Sequence, residues 1–123
     1  MSLRTPLSEA KGLGSAKEGA SHWWMQRITA VALVPLAIWF AFAIAMLGGA
    51  SYETVIAWLQ SPIVAVLLIL FIVATFYHTQ LGLQVIIEDY VGGWLKIATL
   101  TVVNFLCIIF VVAGITALLK VSL

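Results

Sequence analysis

IVAVLLILFIVATFYHTQLGLQVII, residues 63 to 87, carries no charge from end to end. At 1.5 Å of rise per residue, about 20 helical residues cross the roughly 30 Å hydrocarbon core of a bilayer. A helix pairs its own backbone groups, which hydrocarbon would otherwise leave unsatisfied. The stretch therefore reads as a transmembrane helix. Two more charge-free segments flank it: Ile28 to Leu47, and Ile97 to Leu119, the latter bracketed by Lys96 and Lys120. Both are long enough to span. The fold predicted is an all-α membrane protein with three transmembrane helices, over about 24–48, 62–88 and 95–120. A polar N-terminal tail, residues 1–21, precedes the three-helix anchor of residues 22–123. Pro35 falls inside the first span and is a candidate kink, which membrane helices tolerate.

Composition agrees. Hydrophobic residues make up 63% of the chain and charged residues 9%, with a mean hydropathy of +1.15. A soluble domain of this length cannot bury that much apolar surface. The net charge of +1 leaves no nucleic-acid footprint. The one cysteine, Cys107, excludes an internal disulfide or CxxC metal site and reads as a packing residue. The N-terminal tail lacks the apolar core of a secretory signal, and Glu9 and Glu18 interrupt any presequence-like pattern. A bacterial cytoplasmic membrane is expected, ahead of the mitochondrial inner membrane.

Charge asymmetry sets the expected direction. Arg4, Lys11, Lys17 and Arg27 precede the first span, and the loop GGASYETVIAWLQSP after it has no Lys or Arg. This places the N-terminus in the cytoplasm and, after three crossings, the C-terminus in the periplasm. Trp23, Trp24, Trp58 and Trp94 lie near span ends, as interfacial belts do. Tyr52, Glu53 and Trp58 suggest a short interfacial helix.

His78 is the anomaly in the second span. It lies ten residues before Glu88, roughly 15 Å into the apolar core. An imidazole there is costly unless its nitrogens are occupied. Three uses stand open: a hydrogen bond to a neighbouring helix, a proton relay, or ligation of a metal, most simply haem iron. Helical steps of about 100° put His78, Gly82, Val85 and Asp89 on one stripe. Gly82 removes bulk one turn from the histidine, which suits either a flat macrocycle or a close helix contact. The other histidine, His22, sits nearer the cytoplasmic surface, a quarter to half a bilayer away in depth. The two cannot share one iron within one chain. A six-coordinate haem would draw its second axial ligand from another subunit.

The motif HTQLGLQVIIEDY, residues 78 to 90, together with GSAKEGASHWWMQRITAVAL ahead of the first span, resembles the hydrophobic membrane anchor of succinate dehydrogenase, respiratory complex II, in its alphaproteobacterial form. The resemblance extends over nearly the whole chain. It implies that His78 is one axial ligand of haem b, the other coming from a companion cytochrome b subunit. It implies that Tyr90 points its hydroxyl at a ubiquinone carbonyl, with Asp89 beside that site. Arg27 would reach a haem propionate or the rim of the quinone pocket, and Gly82 would leave room for the haem. The implied partners are the cytochrome b subunit, an iron–sulfur subunit, a flavoprotein and the lipid bilayer. The chain itself would be a non-catalytic anchor, and its polar tail would order against the iron–sulfur subunit.

The residue types suit that chemistry. A phenol's hydrogen bond to a quinone oxygen strengthens as charge builds on reduction. A carboxylate at the membrane edge can pass protons. Glu88 reads as a solvated helix end, and Gln80 and Gln84 as candidates to bond a companion subunit. Two rivals remain: a non-redox structural subunit, in which His78 packs and Tyr90 is a belt residue, and the anchor of a related fumarate reductase.

Overall fold

The computed structural model describes residues 15–123. It consists of four helices: α1, Ser15–Leu47; α2, Tyr52–Leu59; α3, Pro62–Tyr90; and α4, Gly93–Ser122. Three of them contain stretches long and apolar enough to cross a membrane: Ala20–Leu47, Pro62–Tyr90 and Gly93–Ser122. At 28 to 30 residues, each is about 42–45 Å long, so each outruns the hydrocarbon core and reaches into the interfaces. α1 begins at Ser15, inside the stretch read from sequence as tail; residues 1–14 lie outside the described residues. α1 also continues through Pro35 without a break.

The corners explain where the helices stop. Gly49 takes φ +77° between α1 and α2, and Gly93 takes φ +67° as the first residue of α4; glycine enters this left-handed region without a Cβ penalty. Ser51 caps α2 by accepting from the Thr54 amide at 3.3 Å. Pro62 opens α3, where its missing N–H costs nothing. α2 is a short helix where Tyr52, Glu53 and Trp58 suggested one. Trp58 anchors it by stacking on Trp39 of α1, with ring centroids 6.1 Å apart.

α3 packs against both α1 and α4, whereas α1 and α4 make no comparable contact with each other. Both pairs run antiparallel. Phe40 of α1 meets Phe71 of α3 at 5.0 Å, and Phe76 of α3 stacks on Phe110 of α4 at 5.8 Å. Gly114 of α4 lets that helix come close, since a Cβ there would lie 3.4 Å from the Ile72 side chain. The interior is thin: Ala65, Leu68, Leu81 and Ile87 of α3, Leu118 of α4, and one polar residue, Thr29 of α1. Most large apolar side chains point outward, as befits a chain whose solvent is lipid.

Candidate functional site

His22, Gln26 and Thr29 recur at i, i+4 and i+7, so they share one face of α1. That face lies against the second half of α3. Thr29 is 6% exposed, and its Oγ1 is 2.9 Å from His78 Nδ1. The same oxygen is 2.8 Å from the Met25 carbonyl and 3.0 Å from the Gln26 carbonyl. A carbonyl only accepts, and a threonine hydroxyl has one hydrogen. The Thr29 O–H therefore donates back into its own helix, and its lone pair accepts from His78 Nδ1–H. In that arrangement His78 Nδ1 carries the hydrogen that Thr29 accepts, and Nε2 has no hydrogen-bond partner among the described residues.

One turn further along α3, His22 Nε2–H donates to the Leu81 carbonyl at 3.1 Å. Gln26 lies between the two histidine contacts. Its Nε2 would sit 3.8 Å from a Cβ built on Gly82, an ordinary contact distance, and no other atom crowds that position. Its Oε1 is buried with no hydrogen-bond partner among the described residues. Nothing among the described residues requires glycine at 82, although glycine inside a helix costs about 1 kcal/mol relative to alanine. His22 lies seven residues from Thr29 along α1, roughly 10 Å in depth. The two imidazoles are thus separated along the membrane normal, and each is engaged with the opposite helix.

The other candidate residues stand apart from this cluster. Tyr90 and Asp89 close α3 on its exposed end, with Tyr90 84% exposed. Twelve residues separate Tyr90 from His78, about 18 Å along the helix. Arg27 is exposed, and its guanidinium lies 4.5 Å from the centroid of the Trp23 ring. Gln80 and Gln84 face α4 instead of α1. Gln80 Nε2 donates to Asn104 Oδ1 at 2.8 Å and to Gln84 Oε1 at 3.3 Å, and Gln84 Nε2 donates to Glu88 Oε1 at 3.0 Å. Among the described residues, no three His, Cys, Asp or Glu side chains gather as a metal site.

Sequence reasoning named His78 but missed Thr29, which holds it. The signal was present: three hydrogen-bonding residues, His22, Gln26 and Thr29, at helical spacing where the chain enters the first span.

The family model described as succinate dehydrogenase/fumarate reductase transmembrane subunit matches residues 1–118. A succinate dehydrogenase hydrophobic membrane anchor subunit from Rickettsia bellii is 34% identical over 116 residues, covering 94% of this chain and 93% of its own. One of the same name from Paracoccus denitrificans is 37% identical over 102 residues, covering 82% of this chain and 79% of its own. A succinate dehydrogenase membrane anchor subunit from Reclinomonas americana is 38% identical over 80 residues, 63% of this chain and 67% of its own.

Proposed function

Since this chain belongs to the succinate dehydrogenase/fumarate reductase transmembrane subunit family, we propose that His78 is an axial ligand of a haem b shared with a companion cytochrome subunit, and that Tyr90 and Asp89 border a site of ubiquinone reduction. The chain is itself a membrane anchor, a non-catalytic subunit of a succinate dehydrogenase complex. The relatives compared carry the succinate dehydrogenase name, which favours electron flow toward quinone over the fumarate reductase direction.

The observation that carries the haem reading is the 2.9 Å contact between Thr29 Oγ1 and His78 Nδ1. A ligating histidine is neutral and typically donates its second N–H to a fixed acceptor, which sets its tautomer and ring orientation. Thr29 supplies such an acceptor and leaves Nε2 available. A histidine used only for packing would be left by that one bond with Nε2 unpartnered among the described residues. Gly82 fits the same reading, because a macrocycle against α3 needs the volume that a Cβ would take. Bound haem supplies a reversible one-electron acceptor within the membrane. Arg27 offers its N–H groups to a propionate even while its face rests on Trp23, since the guanidinium donates in its own plane.

At the end of α3, the Tyr90 hydroxyl donates to a quinone carbonyl oxygen. That bond strengthens as reduction places charge on the oxygen. Asp89, exposed beside it, accepts protons from the aqueous side and passes them on. The four positive residues Arg4, Lys11, Lys17 and Arg27, against none in the α1–α3 connection, favour the cytoplasmic side of the inner membrane for this end of α3. The flavoprotein and iron–sulfur subunits would dock there.

The test is a reduced-minus-oxidised spectrum of membranes holding the intact complex. A b-type band is expected and should be lost with His78→Ala. An unchanged band in that variant would refute ligation by His78.

A further inference from the structure

Thr29 Oγ1 is the sole hydrogen-bond partner of the His78 ring among the described residues. It is a neutral oxygen, on a residue that is 6% exposed. Its own hydrogen is turned into the α1 backbone, toward the Met25 and Gln26 carbonyls at 2.8 and 3.0 Å. A hydroxyl that donates is polarised and becomes a better acceptor. It still accepts less strongly than a carboxylate, because charge-assisted bonds are roughly twice as strong as neutral ones. The oxygen is therefore a fixed acceptor of intermediate strength, held out of reach of solvent.

Such an acceptor changes what the opposite nitrogen offers. A bond from Nδ1–H raises the basicity of Nε2, and hydrogen bonding behind an axial ligand is one lever a protein holds over the potential of a haem. Resting on the reading of His78 as an axial ligand, we propose that Thr29 tunes the midpoint potential of that haem, holding it below the value that an unpartnered His78 would give. One electron converts iron(III) to iron(II), and His78 keeps its Nδ1 hydrogen in both states. The extra positive charge of iron(III) makes that N–H the stronger donor, so the bond to Thr29 favours the oxidised form. With the bond charge-assisted in that form, its excess over the reduced form equals about one ordinary interhelical bond, roughly a three-fold factor in membranes. At about 59 mV per tenfold for one electron, three-fold is about 28 mV.

Potentiometric titration of the b-type band in membranes holding the intact complex tests this. Thr29→Val should raise the midpoint by about 28 mV, and Thr29→Ser, which keeps the oxygen, should stay at the parent value. An unmoved or lowered midpoint in Thr29→Val, or an equal rise in Thr29→Ser, would overturn the proposal. Should Thr29→Val shed its pigment, Thr29→Cys takes its place. Sulfur is a weak acceptor, so the midpoint must rise there too, and a parent value overturns the proposal. His78→Ala separates the two readings. A band that survives His78→Ala removes the ligand assignment itself, whereas a band lost in His78→Ala with no shift in Thr29→Val removes only the tuning by Thr29.

Discussion

Thr29→Val removes one hydroxyl at nearly constant shape, and the geometry says what that strands. The Met25 and Gln26 carbonyls lie inside a continuous helix and keep their backbone partners. The group left alone is His78 Nδ1–H, now facing a methyl in a buried contact. An orphaned buried donor costs about 1–3 kcal/mol. Loss of an acceptor behind a metal-binding histidine lowers affinity by about 10- to 100-fold, which is about 1.4–2.7 kcal/mol at about 1.36 kcal/mol per factor of ten. The two routes agree in size. The assay is haem retention by the purified complex, scored as haem per flavin while an apo-globin competes for the released cofactor. Thr29→Val should weaken retention by about 10- to 100-fold. Thr29→Ser keeps the oxygen and should stay near the parent. Retention in Thr29→Val equal to the parent would refute the role given to the hydroxyl. Equal losses in the Val and Ser variants would assign the effect to packing.

Other outcomes follow from the same geometry. Gly82→Ala meets only an ordinary contact with Gln26, so it should raise helix stability by up to about 1 kcal/mol while lowering haem occupancy, read by thermal melting and pigment content. Tyr90→Phe should cut quinone reduction by roughly 10- to 100-fold, in line with the loss of a charge-assisted hydrogen bond of about 1.5–3 kcal/mol, and leave the b-type band intact. Gln26→Leu replaces a buried oxygen that has no partner, so the complex's melting temperature should hold or rise; a fall would mean that Gln26 binds something in the assembly.

The three spans were legible because charge-free runs long enough to cross hydrocarbon leave one stable conformation in lipid. The short helix before α3 was legible from its aromatic and acidic residues. The start of α1 was not, because Ser15 to Ala20 carry charge and glycine, and composition there resembles a tail while the backbone is helical. His78 announced itself by the cost of its depth. Thr29 did not, because a threonine in a membrane helix can satisfy itself on its own backbone and so raises no alarm. Only the facing of α1 and α3 reveals that its lone pair is spent on the histidine. The resemblance supplied roles for Tyr90, Asp89 and Arg27, which lie apart from the His78 cluster.

The sparse interior of this anchor gives its polar rungs a further duty. Smooth aliphatic surfaces slide past each other with little change in energy, and lipid does not resist. His22 on Leu81 and Thr29 on His78 act as teeth between α1 and α3. A slip of one turn, about 5.4 Å, would disengage both together and strip each imidazole of its partner. Vertical alignment in this protein is thus kept by a few hydrogen bonds, so apolar substitutions along the seam should be absorbed more readily than the loss of either tooth.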